Sequence, residues 1–303
     1  MSSGYAQAEL IAVMAAVTGA EPRVMTVAAG RALPSGPFTS SHRSLQQGLR
    51  AWIETQTGHP VGFLEQLYTF ADRDRDPAGG GGTEDLRRIS ISYLGLVHEQ
   101  AAPGAEQPEW HGWYEYFPWE DRREDRREDG AALEPLVAAL RDWAGRDPAR
   151  RSRLDHAFGL GGDWQEDLVL QRYELMYEAG LVAEARRDGS GAGFGRAMRG
   201  DHRRILATGI ARLRAKIRYR PVAFELMPES FTLLHLQRTV EALAGLNLHK
   251  SNFRRQIDQQ ELIEDTGAMT AETRGRPAKL FRYRPALREA RALAGTRLPF
   301  SRN

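Results

Sequence analysis

The stretch that most constrains the fold lies near the C-terminal end, Gly245–Tyr283, GLNLHKSNFRRQIDQQELIEDTGAMTAETRGRPAKLFRY. A helix starting near Lys250 places Phe253 and Ile257 four residues apart on one side, while Lys250, Arg254 and Arg255 project elsewhere. One face is apolar and the other cationic. After Ile263 the sequence reads as a turn-rich connection, and Arg274-Gly275-Arg276-Pro277-Ala278 leads into Lys279-Leu280-Phe281-Arg282-Tyr283, which alternates like a half-buried strand. A helix followed by a basic hairpin is the pattern of a winged helix.

Charge is divided unevenly around that stretch. The chain totals are 42 Lys/Arg and 40 Asp/Glu; residues from Leu226 onward hold 13 and 8 of them, net +5, leaving 29 and 32, net −3, for residues 1–225. This is the footprint expected of a small nucleic-acid-binding appendage on a mildly acidic larger domain. At 303 residues the chain has room for two cores. With Cys 0 there is no disulfide framework and no thiolate metal site. The longest apolar run, Leu10–Val17, is too short to cross a bilayer and has no basic flank of the signal-peptide kind, so a cytoplasmic protein with no membrane partner is expected.

In chain order, Glu9–Val17 and Arg23–Ala28 read as buried strands of a hairpin, and Leu33–Phe38 as a loop. Leu45, Leu49, Trp52 and Ile53 then fall at the spacing of an amphipathic helix ending at Gly58. Phe63–Phe70 and Ile89–Val97 are further strands, joined by a charged, glycine-rich hairpin tip. Trp110–Trp119 gathers six aromatic rings, either a further strand with a core face or the lining of a pocket for a flat heterocycle; the core reading is favoured. Glu120–Asp129 (EDRREDRRED) reads as a solvated helix or linker. Leu133–Gly180 is helical, with Leu168, Tyr173, Leu175 and Met176 spaced for a stripe, and Arg187–Gly200 interrupts it with five glycines. A last long helix carries Leu206, Ile210, Leu213 and Ile217 and stops near Pro221, where the approach to a domain boundary begins.

Several motifs now fall in one order: LPSGPF (Leu33–Phe38), a helix closing in Thr57-Gly58, LEQLYTF (Leu64–Phe70), DHRRIL (Asp201–Leu206), KIRYRPVAFELMP (Lys216–Pro228), FTLLHLQ (Phe231–Gln237), NFRR (Asn252–Arg255) and GRPAKLFRY (Gly275–Tyr283). Together they resemble the Nudix-related transcriptional regulators of NAD metabolism, above all the alphaproteobacterial branch that represses de novo NAD synthesis. The likeness is strongest over Asp201–Tyr283 and weakest over Glu120–Gly200. It implies an α+β chain: a Nudix-like α/β/α sandwich over residues 1–225 with a helical insertion at about 131–200, then a winged helix-turn-helix over 226–303. Apolar stripes in the insertion point to a contribution to a dimer interface.

The departure from the family lies in the Nudix signature, whose pattern is a Gly, a Glu six residues on, then Arg-Glu-apolar-x-Glu-Glu-x-Gly. Gly36 and Arg50 match, but His42 stands at the first acidic position, and Ala51 to Gly58 reads AWIETQTG, so the closing Gly arrives one residue late and the Glu-Glu pair is broken. Diphosphate hydrolysis on this fold needs carboxylates clustered on one helix face to hold Mg²⁺, which takes hard oxygen ligands and activates water. A lone Glu54 does not supply that cluster, and Glu65 on a strand does not restore it. The expectation is a sensor without catalysis and with no required cofactor; an active ADP-ribose pyrophosphatase with an accessory tail is the alternative.

For DNA, the residues of the right type are Lys250, Ser251, Asn252, Arg254 and Arg255 on the helix and Arg274, Arg276 and Lys279 on the wing. Asn pairs with adenine N6/N7 and Arg with guanine O6/N7, each worth about 1–3 kcal/mol of discrimination. The competing reading makes them surface cations of a protein-binding domain. For the effector, which the resemblance makes NAD, ATP or ADP-ribose, Tyr68, Asp72, Arg73 and Arg75 lie at a strand end and its loop, where Arg meets phosphate bidentately. A homodimer on a palindromic double-stranded operator completes the expectation. Asp201-His202 reads as a helix start rather than a catalytic pair.

Overall fold

In the computed structural model the described residues are 6–40, 42–57, 63–71, 87–99, 109–123, 133–186, 193–219, 222–270 and 277–284. The N-terminal part is built on a sheet of six strands: β1 (Ala6–Thr18), β2 (Glu21–Thr26), β3 (Ser35–Pro37), β4 (Phe63–Phe70), β5 (Arg87–Leu96) and β6 (Glu109–Gly112), in the order β4-β5-β1-β2-β6 with β3 also on β1. β1 runs parallel to β5 and antiparallel to β2 and β3. Its unbroken apolar run reflects cover on both faces. Leu10, Ala12 and Met14 pack with Leu49 and Ile53 of helix α1 (Leu45–Thr57). Ile11, Val13 and Ala15 share a core with Leu206, Ile210, Leu213 and Ile217 of helix α6 (His202–Tyr219). The alternation of one strand therefore makes an α/β/α sandwich.

Leu33–Phe38 is not wholly a loop, since Ser35–Pro37 pairs with Glu9–Ile11. Trp110–Trp119 is a strand only as far as Gly112. Edge pairing with β2 ends there, and the chain turns into the short helix α2 (Trp113–Tyr116) and a 3-10 turn, Pro118–Glu120. Its rings are core: Trp113, Tyr116, Phe117 and Trp119 are buried. The buried guanidinium of Arg203 lies 5.3, 5.6 and 5.6 Å from the ring centroids of Phe117, Trp119 and Tyr173.

The insertion supplies α3 (Leu133–Ala144), α4 (Pro148–Phe158) and α5 (Val169–Glu178). Asp147 caps α4, accepting from Ala149 N at 2.9 Å and Arg150 N at 3.2 Å, and Gly159 closes it in the left-handed region. Leu136, Leu140, Leu154, Phe158, Tyr173 and Met176 are buried in the same core as α6, so these stripes are covered by the chain itself. The charge run is corrected at its start: Glu120 and Arg123 are buried rather than solvated. They are tolerated there because each is paired. Arg123 grips Asp121 through Nε at 2.8 Å and Nη2 at 2.7 Å and donates Nη1 to Ala20 O at 2.8 Å.

The C-terminal part holds α7 (Leu233–Ala244), α8 (Lys250–Gln260) and the hairpin β7 (Ile263–Met269) and β8 (Lys279–Tyr283). The turn-rich connection expected after Ile263 begins with strand β7 instead. Its ladder with β8 carries a register shift between Asp265 and Met269, where Gly267 at φ +74° supplies the bulge that lets a Thr-Gly-Ala sequence stay in a strand. Phe231 bonds Phe281 reciprocally at 2.9 and 2.8 Å, adding a third edge to the hairpin. Among the described residues, no helix is long and apolar enough to cross a membrane.

Candidate nucleic-acid interface and ligand pocket

The reading helix is set by its apolar side. Phe253 and Ile257 are buried, which leaves Lys250, Ser251, Arg254 and Arg255 exposed, with Asn252 half-buried beside them. The turn from α7 to α8 is fixed by side chains. Thr232 caps α7 by accepting from His235 N at 3.1 Å, and Glu241 Oε1 accepts from Leu248 N and Gln237 Nε2, both at 2.9 Å. Gln237 Nε2 also donates to Leu248 O at 3.1 Å. Arg255 Nη2 donates to Asn252 Oδ1 at 3.2 Å, pre-aligning two of the candidate base readers.

The structure places three of the eight expected DNA residues around one cleft. Lys250, Arg254 and Lys279 line one cleft of about 400 Å³ between the N-terminal ends of α7 and α8 and the wing. Its other walls include Thr232, Leu234 and Gln237, which sequence reasoning missed; Leu234, 47% exposed on an otherwise well-packed helix, is the signal that could have marked them. Lys279 is held by Asp265 at 2.8 Å, and the two raise and lower each other's pKa through that hydrogen bond. Arg274 and Arg276 lie outside the described residues.

The ligand side is less complete. Tyr68 is 60% exposed near the end of β4, edge-on to Phe70 with centroids 5.0 Å apart. Its backbone breaks ladder register and bonds Ser92 Oγ at 2.8 and 3.3 Å, which explains why the ring points out of the sheet. Asp72, Arg73 and Arg75 lie outside the described residues.

At the Nudix-signature positions an aromatic ring covers the glycine. The Trp52 ring lies so close to Gly36 that a Cβ there would sit 2.2 Å from Trp52 Cδ2, and Trp52 Nε1 donates to Pro37 O at 2.9 Å. His42, at the first acidic position, accepts from Thr39 N at 3.2 Å and stacks on Phe38 at 5.7 Å. Glu54 is exposed on α1. Glu65 pairs with Lys216 of α6, on the face of the sheet away from α1. The two candidate carboxylates therefore lie on opposite faces, and among the described residues no group of three His, Asp or Glu is placed to hold a metal ion. His202 Nδ1 accepts from Leu33 N at 3.0 Å, a structural contact between helix start and strand-end loop.

Fold and surface define a class: a Nudix-like α/β/α domain with an inserted helical layer, joined to a winged helix with an exposed cationic reading face. Residues 223–283 match the family described as NrtR DNA-binding winged helix domain. Over 83 residues, 27% of this chain, the sequence is 39% identical to the ADPR responsive transcriptional repressor NtrR of Acinetobacter baylyi; the match spans 33% of that protein's length. Across nearly the whole chain the fold is similar to that of Shewanella oneidensis NrtR complexed with a 27mer DNA (TM-score 0.56, 20% identity, 93% of this chain and 95% of that one). It is also similar to a MutT/nudix family protein from Enterococcus faecalis (TM-score 0.53, 14% identity, 94% and 88%). The likeness in fold to these solved structures thus covers both parts of the chain.

Proposed function

We propose that this chain is a DNA-binding transcriptional repressor of NAD-biosynthesis genes, with residues 1–225 as the sensor and 226–303 as the operator-binding domain. The observation that carries the reading is the face of α8: Lys250, Ser251, Arg254 and Arg255 are exposed together because Phe253 and Ile257 are buried, on a segment matching a DNA-binding family. In a winged helix this face enters the major groove while the wing meets the backbone, so Lys250, Ser251, Asn252, Arg254 and Arg255 read bases and Arg274, Arg276 and Lys279 hold phosphate. A homodimer places two such helices on a palindromic operator.

The effector that fits best is ADP-ribose, supported by the partial similarity to the ADPR responsive repressor from Acinetobacter baylyi; NAD and ATP share its adenosine diphosphate half. Tyr68 offers a ring for stacking, and Asp72, Arg73 and Arg75, which follow its strand in sequence, are the residues proposed for the phosphates. Catalysis is absent in this reading, because Glu54 stands alone on the exposed face of α1 and Glu65 is committed to Lys216. The second reading, an active pyrophosphatase, rests on the retained Gly36, Arg50 and Glu54 and on the likeness to a MutT/nudix fold. Incubation with ADP-ribose and Mg²⁺ separates them: the repressor reading expects a stable complex without AMP release, and turnover at ordinary enzymatic rates overturns it. A gel shift on promoters of NAD-synthesis genes, with ADP-ribose, NAD or ATP added, tests the output and names the effector.

A further inference from the structure

The buried start of the charge run does more than pack. Glu120 is 1% exposed and is gripped from two sides. Arg172 of α5 donates Nε to Oε1 at 2.6 Å and Nη2 to Oε2 at 2.9 Å; Arg214 of α6 donates Nη1 to Oε2 at 2.6 Å. Arg172 Nη1 is further held by Ala157 O at 2.8 Å and Gln165 O at 3.0 Å, and its guanidinium lies 3.8 Å from the Trp164 ring centroid. Burial opposes the charge on Glu120, but the Arg172 and Arg214 guanidiniums outweigh it and hold the carboxyl below its ordinary pKa.

Arg214 carries the cluster on to the end of α7. Arg214 Nε donates to Leu243 O at 2.9 Å, a carbonyl at the C-terminal end of α7, where the helix dipole is negative. Tyr114, bonded by Arg214 Nη2 at 3.2 Å, donates its hydroxyl to Ala242 O at 2.7 Å, and Arg122 N donates to Gly245 O at 2.8 Å. Gly245 is at φ +72°, and a Cβ there would stand 2.3 Å from Glu120 O, so the end of α7 is seated directly on the cluster. Three successive contacts thus fix the helix that precedes α8.

We infer that the Arg172–Glu120–Arg214 cluster is a brace through which the inserted helices fix the orientation of the DNA-binding domain, making Arg172 and Arg214 positioning residues for operator recognition. The inference rests on the operator-binding reading above. It assigns the insertion a task inside one chain: Arg172 holds Glu120, Glu120 aligns Arg214, and Arg214 with Tyr114 holds the last carbonyls of α7. A fully bonded buried network of this kind specifies one geometry, whereas a packed apolar patch would tolerate sliding.

The test uses the full chain. Because it has no cysteine, Ser152→Cys on α4 and Gln259→Cys on α8 give two unique nitroxide sites, read by pulsed dipolar spectroscopy with labelled protein diluted in unlabelled protein. The brace predicts one narrow distance distribution in the parent, and a shifted or broadened one in both Arg172→Met and Tyr114→Phe. Arg172→Met leaves Glu120 paired to Arg214, and Tyr114→Phe removes only a hydroxyl, so cooperative melting is expected in both. Operator affinity falls about tenfold in each, the scale of coupling between sites, although neither residue lies on a DNA-facing element. Folded variants that keep the parent's distance distribution overturn the inference. Amide exchange on the parent gives an independent check: exchange at Arg122 N as slow as in the β1 core is required, and fast exchange there also overturns it. A parent that binds no operator while the variants still change the distance refutes the operator reading and leaves the brace standing.

Discussion

Helices α1 and α8 are built alike and present different chemistry to solvent. Each turns one apolar pair inward, Leu49 and Ile53 in α1, Phe253 and Ile257 in α8, and each presents the remaining face to solvent. On α8 that face holds Lys250, Arg254 and Arg255; on α1, where the family pattern clusters carboxylates, it holds Ala51, Glu54 and Thr55. The fold depends on the inner faces, so a chemical site on the outer face can be dismantled without disturbing the sheet beneath it. Trp52 of α1 lays its ring against Gly36.

The largest expected effect falls on the inner faces. Phe253→Ala should cost about 3–5 kcal/mol in denaturant melts and abolish operator binding, because α8 loses its seat. Leu49→Ala should cost about 2–5 kcal/mol in the same melts without altering which duplex is preferred; a change in duplex preference would break the separation between the two helices. Next in size, Arg254→Ala should weaken operator binding by about 1–3 kcal/mol while leaving the melt unchanged, measured by anisotropy at fixed salt. Lys250→Ala should reduce the slope of log affinity against log salt by about 1 if Lys250 meets phosphate, and should blur sequence preference instead if it reads a base. The smallest effect concerns the wing. Asp265→Asn releases Lys279 from an exposed pair and should tighten DNA binding by no more than about twofold.

Much of this architecture was legible in the sequence because it follows from local periodicity. The β1–β2 hairpin, α1, α6 and α8 each announce their buried faces within a few residues, and the cationic face of α8 follows from the same spacing. Glu120 was not legible. Burying it depends on Arg172 and Arg214, 52 and 94 residues away, and a window over EDRREDRRED sees only charges that balance. Strand β7 was missed for a related reason: Thr266-Gly267-Ala268 carries turn residues, and only the bulged ladder with β8 keeps it extended. Glu65 illustrates the limit for sites, since only the sheet shows that it faces α6 and not α1.

The central claim is that α8 reads sequence, and the most direct measurement is anisotropy of labelled duplexes tiled across the promoters next to this gene, with the wild-type chain and Arg254→Ala/Arg255→Ala. The account predicts that one palindromic segment binds at least about 10³-fold tighter than its scrambled counterpart, and that the double variant loses this preference while still melting as the wild type does. Equal binding of the palindrome and its scrambled counterpart by the wild-type chain would contradict it.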